Sequence, residues 1–456
     1  MQVFNRHVST RGLTVFAAEL LLISGSVALA ATLQGSTDLT TGIWKVGLVT
    51  LVCQLCLYYN DFYDLTLVHS SRELVVRLFQ AVGAASIVLA ALYFTVPALV
   101  IGDGIFVSAL VVFVVGILGW RLLFNSVTRR LRLEERILVV GTGQTARTVT
   151  RQILAQRDFA YRVIGFIDDD ARRLGERIVN PGIIGTPEDI PRLVAEHQVD
   201  RIIVGLADRR GKLPVDELLR AKMSGVRVED ATTTYERVTG KILIDDLRPS
   251  FLIFSDGFRV SRLTRWMKRG LDLLLAMALA IVSAPFMLLT AIAIALESGL
   301  PVLYCQERVG ENGRRFTLCK FRSMRLDAER DGPVWASDGD SRVTRVGRFI
   351  RKTRLDELPQ LWNVVLGDMS FVGPRPERPY FVDELARQIP FYQQRHAVKP
   401  GLTGWAQVKY RYGSSIEDAT EKLRYDLYYI KHLSVFFDLT IVFDTVKVVL
   451  FRKGAA

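Results

Sequence analysis

The sequence predicts a membrane protein of three parts: a four-helix transmembrane bundle, a Rossmann-like α/β domain, and an α-rich C-terminal domain that contains a proline-broken, re-entrant membrane helix. Three observations predict this fold class. Apolar runs open the 456-residue chain, strands and helices alternate in its middle third, and a further apolar run with a central proline precedes a strongly charged region. We place the parts at residues 1–130, 131–257 and 258–456, with the re-entrant helix at 268–297.

The N-terminal part contains four apolar runs, each close to the ~20 residues that an α-helix needs to cross a bilayer. They cover residues 13–33, 43–59, 74–96 and 105–124. The loops around Asp38 and Asp103 carry no lysine or arginine, whereas basic residues gather at and beyond the end of the fourth run: Arg121, Arg129, Arg130, Arg132 and Arg136. Because basic loops stay on the cytoplasmic side, we expect a cytoplasmic N-terminus and cytoplasmic later domains.

The middle part alternates strand and helix patterns from residue 136 to about residue 257, which predicts a parallel, Rossmann-like sheet. Gly141, Gly143 and Ala146 form a GxGxxA pattern after its first strand, and Asp168 follows the second strand, where a ribose-binding acid would lie. Two interpretations stay open: these glycines bind a nucleotide phosphate, or they only allow a tight turn and close helix packing. No tyrosine has lysine four residues later, so we expect docking, dimerisation or regulation here and not catalysis.

The fifth apolar run, residues 271–296, has basic residues on both flanks and Pro285 near its centre. Proline removes a backbone donor and clashes with the preceding turn, so it bends or breaks a helix. Because both flanks are basic, we expect a helix that enters the bilayer, breaks at Pro285 and returns to the cytoplasm. The alternative is a kinked helix that crosses the membrane and places all later residues on the opposite side.

The densest group of charged residues follows this helix. Asp356 and Glu357 are adjacent, and the basic residues near them in the motifs are Arg351, Lys352, Arg354, Arg375 and Arg378. Since Pro359 is tolerated only near the first turn of a helix, we expect a helix to begin close to Asp356, with its positive end favouring both ionised carboxylates. One interpretation is a capped helix with ion partners. The other is a phosphoryl-transfer site, because a carboxylate can attack phosphorus only where cations screen the negative charge.

The composition limits the partners and the cysteine chemistry. A formal net charge of +12 favours anionic partners, whether nucleic acid, anionic lipid or phosphorylated substrates. Four cysteines are too few for a disulfide framework, so we interpret Cys53 and Cys56 as packed thiols and Cys305 and Cys319 as incidental. The last apolar run, residues 435–450, contains two aspartates and a lysine, which predicts a packed or interfacial helix.

From about Trp266 to its end, the chain resembles the bacterial polyprenyl-phosphate phosphoglycosyl transferases of the sugar transferase superfamily. The matching segments are the proline-containing membrane helix, KFRSM, LDELPQLWNV, GPRP and KPGLTGWAQV. The whole architecture resembles the large exopolysaccharide-initiating members, and the opening FNRHVSTRGL is similar to those associated with PEP-CTERM sorting systems. One departure is Ala284-Pro285, where small members often have Ser-Pro; Ser283 is the candidate substitute for that serine.

The resemblance implies transfer of hexose-1-phosphate from a UDP-sugar to undecaprenyl phosphate in two steps, with release of UMP, to initiate exopolysaccharide assembly. Asp356 matches the nucleophile that forms a covalent aspartyl-phosphosugar, and Glu357 matches the acid that engages Mg²⁺. Lys320, Arg351 and Arg375 match basic residues that hold the phosphates. Glucose or galactose is the expected sugar.

The implied partners are the UDP-sugar donor, undecaprenyl phosphate, the bilayer of the bacterial inner membrane and a second copy of the chain, with no nucleic acid. The alternative function is a membrane-anchored nucleotide-sugar dehydratase or epimerase, which leaves residues 266–456 unexplained. A non-enzymatic scaffold is the other alternative, and it would need no acidic pair among cations.

Overall fold

The structure, a computed structural model, describes most of the chain: residues 2–3, 6–7, 10–33, 39–60, 62–63, 71–100, 105–130, 134–155, 161–206, 212–244, 255, 257–258, 260–328, 340–410, 413 and 415–451. Contacts divide the chain into two compact units, His7–Thr234 with Met1–Val3, and Tyr235–Ala456 with Phe4–Arg6. The loops around Asp38 and Asp103 lie outside the described residues, and so does Arg132. The predicted domain boundaries stay predictions.

The first unit begins with two short strands and four apolar helices. These are β1 (Gln2–Val3), β2 (Arg6–His7), α1 (Thr10–Leu33), α2 (Leu39–Tyr59), α3 (Ser71–Thr95) and α4 (Ile105–Arg130). α1 contacts α2 and α4, and α2 contacts α3. In the described part, Gly42–Tyr59 and Leu74–Thr95 are long and apolar enough to cross a membrane, and shorter apolar stretches cover Thr14–Ala30 and Ser108–Phe124. All four predicted runs are therefore helical.

Arg121, which the sequence places among the cytoplasmic charges, is buried between these helices. Its Nε lies 2.7 Å from Glu19 Oε1. It also donates a 3.1 Å hydrogen bond to the main-chain oxygen of Phe62. Because an isolated charge is costly away from water, this pairing explains how apolar helices hold two charged side chains.

The first unit continues with a parallel five-stranded sheet in the order β5-β4-β3-β6-β7. Its elements are β3 (Glu135–Val140), α5 (Gln144–Ala155), β4 (Tyr161–Ile167), β5 (Ile183–Gly185), α6 (Ile190–His197), β6 (Arg201–Val204), α7 (Val215–Met223) and β7 (Arg227–Asp230). The next helix, α8 (Ala231–Thr239), includes the last residues of the first unit and the first residues of the second. Strand β3 is a continuous run of buried aliphatic residues from Ile137 to Val140, as expected for a central parallel strand. The strand order reverses between β3 and β6, which confirms the predicted Rossmann-like topology.

The second unit is mainly helical around two small sheets. Its elements are α9 (Arg262–Ser298), β8 (Leu303–Val309), β9 (Arg315–Phe321), α10 (Arg345–Lys352), α11 (Gln360–Leu366), β10 (Ser370–Val372), α12 (Pro379–Gln388), β11 (Gly401–Thr403), α13 (Trp405–Lys409), α14 (Ile416–Lys431) and α15 (Val435–Phe451). β8 and β9 form an antiparallel hairpin, and β10 pairs with β11 in parallel. Phe437 and Ile441 of α15 are in the main core of this unit, so this helix is packed, as predicted.

Helix α9 is one continuous α-helix of 37 residues, and Pro285 lies inside it. The helix is not interrupted at Pro285, so the predicted break is not confirmed. Ala276 packs in the main core, whereas Ile294 packs in a second cluster. Ser283 Oγ approaches the oxygen of Ala280 at 3.5 Å, not that of Ile281, whose usual N–H donor is the one that Pro285 lacks. The re-entrant path of the helix stays a prediction.

The β8–β9 hairpin contains two cysteines that were not predicted to form a disulfide. Cys305 and Cys319 face each other across the hairpin and form a disulfide bond. Our interpretation of them as incidental is therefore wrong, because the antiparallel register places residues 14 apart in the chain directly opposite each other. Cys53 and Cys56 are free thiols in α2, and Cys53 is buried.

Candidate active site

The acidic pair lies in a tight turn between two helices. After α10, Arg354 adopts a left-handed conformation with φ of 61°, and Leu355–Glu357 form a 3₁₀ turn. Helix α11 begins only at Gln360, with Pro359 directly before it. The sequence thus predicts the position of the proline correctly but places the helix start too early. The left-handed residue and the 3₁₀ turn together place Asp356 inside the protein.

Asp356 is buried, with 7% of its surface exposed, and its Oδ1 has no hydrogen-bond partner in the described part of the chain. Burial, followed by the negative charge of Glu357, raises the pKa of Asp356 to about 6, although Lys320, Arg351 and Arg354 act in the opposite direction. Our expectation that a helix end would favour its ionised form is wrong, because desolvation outweighs the nearby positive charges. The result is a buried carboxylate with one oxygen that accepts no hydrogen bond from the described residues.

Glu357 is held by two guanidinium groups. Its Oε1 lies 2.9 Å from Arg375 Nη2 and 3.5 Å from Arg354 Nη1. Burial alone would raise the pKa of Glu357, but Arg375 and Arg354 outweigh it and hold this pKa below its ordinary value. The two adjacent carboxyl groups therefore differ: Glu357 is firmly ionised, and Asp356 titrates closer to neutrality.

The three predicted phosphate-binding cations converge on this pair. Lys320 lies in β9 opposite Tyr304, with its Nζ 5.5 Å from the centre of that ring. Burial and then the charge of Arg308 lower the pKa of Lys320 to about 8, and Asp356, Arg351 and Arg375 also act on it electrostatically. The structure thus brings together Asp356, Glu357, Lys320, Arg351 and Arg375, from segments up to 55 residues apart in the sequence.

Direct contact between two main-chain segments, around Gly373 and around Gly401, fixes the position of Arg375. Gly373 N donates to Thr403 O at 2.8 Å, and Gly401 N donates to Pro374 O at 2.9 Å. A Cβ on Gly373 would lie 2.3 Å from the main-chain oxygen of Lys399, so only glycine fits. The GPRP and KPGLTGW motifs therefore cross in direct backbone contact, and Arg375 projects from this crossing toward Glu357.

A buried ion pair behind this crossing was not predicted from the sequence. Arg395 Nη2 lies 2.8 Å from Asp426 Oδ2 and donates a 3.1 Å hydrogen bond to the main-chain oxygen of Arg375. Both side chains are at most 5% exposed. The pair supports the main chain of Arg375 from inside, and no spacing rule connects residues 395 and 426.

Arg308 is the second group that sequence reasoning missed, since it is only one of the basic residues that follow the fifth apolar run. Its Nη1 donates to Pro376 O at 2.9 Å and its Nη2 to Gln306 Oε1 at 2.7 Å. Arg308 thus links the hairpin to the GPRP motif while adding positive charge beside Lys320. Its alternation with Tyr304 and Gln306 along β8 is the one signal that would have indicated it.

A metal ion at this site would depend on few protein ligands. Within the described ranges, no three His, Cys, Asp or Glu side chains come together in a group that could hold a metal. Mg²⁺ is usually bound through one or two carboxylates together with substrate phosphates and water. The adjacent carboxylates of Glu357 and Asp356, one with an uncompensated oxygen, fit that limited donor set.

The glycine turn of the middle sheet fits the structural interpretation. Gly141 has φ of 101°, and a Cβ there would lie 3.0 Å from Gly205 O. Asp168 Oδ2 already accepts hydrogen bonds from Arg173, at 2.8 Å, and from Thr142. Gly143 precedes α5, and its carbonyl accepts the N–H of Arg147. Nucleotide binding by these residues stays a prediction.

Comparisons with known proteins match two parts of the chain separately. Residues 263–452 match the family model described as bacterial sugar transferase, and residues 59–219 match the one described as CoA-binding domain. The first match covers Asp356, Glu357 and the cations around them. The second runs from the end of α2 through α3, α4 and the Rossmann-like sheet into α7.

Three relatives match large parts of this chain. A UDP-N-acetylgalactosamine-undecaprenyl-phosphate N-acetylgalactosaminephosphotransferase of Aeromonas hydrophila is 44% identical over 52% of this chain and 56% of that protein. An undecaprenyl-phosphate glucose phosphotransferase of Komagataeibacter xylinus is 32% identical over 73% of this chain and 62% of that protein. A UDP-glucose:undecaprenyl-phosphate glucose-1-phosphate transferase of Caulobacter vibrioides is 44% identical over 41% of this chain and 71% of that protein. The chain thus spans 56% to 62% of the first two relatives.

Replacing Asp426 with asparagine should destabilise the second unit, because Arg395 would stay buried without a charged partner. Removal of one partner from a buried ion pair costs about 3–5 kcal/mol. Thermal unfolding of the purified chain measures the change. Glu307→Gln is the control, because Glu307 and Arg315 pair at the surface with side chains 55% and 60% exposed, and its cost should stay below ~1 kcal/mol. Equal unfolding temperatures for the two variants would contradict a supporting role for the buried pair.

Proposed function

The chain belongs to the bacterial sugar transferase family, and on this basis we propose that it transfers a sugar-1-phosphate from a UDP-sugar to undecaprenyl phosphate, the first step of glycan assembly. The observation that carries the proposal is the buried carboxylate of Asp356, with one uncompensated oxygen among several cations. The substrate classes come from the names of the relatives. The dehydratase or epimerase alternative has no explanation for residues 263–452, which match the transferase family.

In the first step, a carboxylate oxygen of Asp356 attacks the β-phosphorus of the UDP-sugar. A bond forms between this oxygen and the phosphorus, and the bond from the β-phosphorus to the bridging oxygen breaks, so that UMP leaves with the bonding electrons. The attack brings two anions together and needs positive charge around the phosphate oxygens. Lys320, Arg351 and Arg375 supply it, and the Arg375–Glu357 pair fixes one side of the site.

In the second step, a phosphate oxygen of the lipid acceptor attacks the same phosphorus. The bond between phosphorus and Asp356 breaks, the carboxylate is regenerated, and the product is a sugar on undecaprenyl diphosphate. No proton has to move in either step. The same cations therefore serve both halves of the reaction, first on the donor diphosphate and then on the lipid phosphate.

Glu357 would hold a Mg²⁺ ion together with phosphate oxygens of the donor, and the ion would neutralise charge on the leaving UMP. The residues of the chain do the rest. Arg375 and Arg354 orient Glu357 through its Oε1. Its second carboxylate oxygen is the one left to face an ion.

The contacts of α9 support the placement of this site at the membrane surface. Near its start, Lys268 donates to Val372 O at 2.9 Å and Asp272 accepts from Phe371 N at 2.9 Å. At its end, Glu297 accepts from Arg345 N at 2.8 Å. A helix that crossed the bilayer would separate its ends by the ~30 Å hydrocarbon core, yet both ends contact the same folded unit. We therefore propose a helix that bends at Pro285 and enters and leaves on the cytoplasmic side of the inner membrane, in a chain that also has a four-helix transmembrane bundle.

The relatives' names contain two different sugars, glucose and N-acetylgalactosamine. Our sequence-based expectation of glucose or galactose is therefore widened to include N-acetylgalactosamine. Release of UMP from each of these three UDP-sugars is the measurement that decides between them.

The covalent step predicts an isolable intermediate. Wild-type chain mixed with its UDP-sugar and Mg²⁺, without lipid, should gain the mass of one sugar-phosphate in rapid-quench intact-protein mass spectrometry. Asp356→Ala should gain no mass and release no UMP. Asp368→Asn, which changes an exposed acid close by in the sequence, should behave as the wild type. An active Asp356→Ala variant would exclude Asp356 as the nucleophile.

The rate of UMP release should follow a bell-shaped pH profile. Asp356 attacks only when ionised, so the rate should rise as the pH passes its raised pKa of about 6. Lys320 neutralises phosphate only when protonated, so the rate should fall above its lowered pKa of about 8. In Lys320→Arg, where the side chain stays charged at high pH, the falling limb should disappear while the rising limb stays. A falling limb unchanged by this substitution would remove Lys320 from the phosphate site.

The membrane path predicts that both flanks of α9 are labelled from one side. Single cysteines at the exposed positions Arg262 and Arg314, in a chain whose native cysteines are serine, should both react with an impermeant maleimide in inverted membrane vesicles. Neither should react in intact spheroplasts. Labelling of the Arg314 position alone from the outside would show a crossing helix.

A further inference from the structure

The end of helix α9 is held by an arginine that has no acidic partner within the described residues. Arg322 Nη2 donates to Ser298 O at 2.8 Å and to Gly299 O at 2.7 Å, the last carbonyls of the helix. Only 4% of Arg322 is exposed. The carbonyl end of a helix carries partial negative charge and lacks internal donors, so it can hold a buried guanidinium without a carboxylate. Arg322 therefore ties the end of the membrane helix to the segment that follows β9.

Glu297, one residue before Ser298, ties the same helix end to the start of α10. Its two carboxylate oxygens accept the N–H groups of Arg345, at 2.8 Å, and Val346, at 3.0 Å. These are the first residues of α10, whose free N–H groups favour an anion. Glu297 itself is exposed, so its contribution to folding stability is small.

Both contacts lead within a few residues to the cations around Asp356. Lys320 precedes Arg322 by two residues, which places both side chains on the same side of the extended chain. Arg351 lies in the last turn of α10, and its Nε donates to Ser323 Oγ at 2.8 Å. The helix end, the end of β9 and α10 thus form a closed ring of contacts.

An apolar cluster fills the space inside this ring. Ile294 of α9, Phe321 of β9 and Ile350 of α10 are buried against one another, and Leu355 packs on them. Leu355 directly precedes Asp356. The end of the membrane helix therefore contacts each segment that carries Lys320, Arg351 or the nucleophile.

We infer that Glu297 and Arg322 are positioning residues, which fix Lys320 and Arg351 relative to Asp356 by tying both segments to the end of the membrane helix. The inference rests on the proposed function for its effect on rate. Displacement of a phosphate-binding group by about 1 Å can cost on the order of 100-fold in rate. Loss of one exposed carboxylate should therefore change catalysis far more than folding.

The test compares Glu297→Ala with Glu297→Gln and with Glu384→Ala, the last an exposed acid of α12 in the same unit. The rate of sugar-phosphate adduct formation from UDP-sugar, without lipid, should fall at least tenfold in Glu297→Ala. Glu297→Gln keeps one acceptor oxygen and should recover part of the rate, and Glu384→Ala should match the wild type. The unfolding temperature should be the same in all of them. Arg322→Lys, which keeps the charge but loses the fork of donors, should also be slow.

A second measurement uses the pKa of the Lys320 amine to detect a change in its surroundings, and it needs no catalytic turnover. The pH dependence of Lys320 labelling by a small amine reagent, followed by peptide mass spectrometry, reports the pKa of this amine. Arg308, Arg351 and Arg375 lower that pKa and Asp356 raises it. In Glu297→Ala, the midpoint of labelling should move upward from about 8 as Arg351 moves away.

The outcomes separate the inference from the proposed function. An active wild type with Glu297→Ala equal to Glu384→Ala in both rate and labelling would overturn the positioning role and leave the function intact. A wild type that forms no adduct with any UDP-sugar would overturn the function, while the labelling midpoint would still support or overturn the positioning role. Reduced rate with an unchanged labelling midpoint would also overturn it.

Discussion

The rest of the second unit depends on one electrostatic constraint: the carboxyl group of Asp356 must still be able to ionise although it is buried beside the charged carboxylate of Glu357. The solution is an unequal pair. Arg354 and Arg375 hold Glu357 through one oxygen, while Asp356 keeps Oδ1 without a partner and takes the full effect of burial. Cations exceed carboxylates around the pair, so the site carries net positive charge until an anion enters. A phosphorylated substrate is the ligand that such a site stabilises best.

The membrane helix serves as the frame on which this site is assembled. Its first half holds β10 through Lys268 and Asp272, next to the crossing of glycine motifs that presents Arg375. Its last turn holds the segments of Lys320 and Arg351. Opposite sides of the candidate site are therefore fixed to two parts of one helix. Side chains supported in this way need no large rearrangement before the proposed attack on phosphorus.

The sequence predicted those features of the fold and site that have a local pattern or motif. The glycine turn and β-branched strands predicted the parallel sheet, and the motifs placed Asp356, Glu357 and the three cations in one region. Three features had no local signal. The Arg395–Asp426 pair and the Cys305–Cys319 pair join residues that only the fold brings together, and the raised pKa of Asp356 comes from burial. The break at Pro285 stays a prediction, since the helix assignment continues through this proline.

The disulfide in the β8–β9 hairpin is a bond whose formation depends on the compartment that surrounds it. Cytoplasmic thiols are kept reduced, whereas oxidising compartments join them. Cys305 and Cys319 lie directly opposite each other in the hairpin, and Cys319 directly precedes Lys320. Their bond is therefore expected to form where the hairpin meets an oxidising environment, and to stay open beside the cytosol.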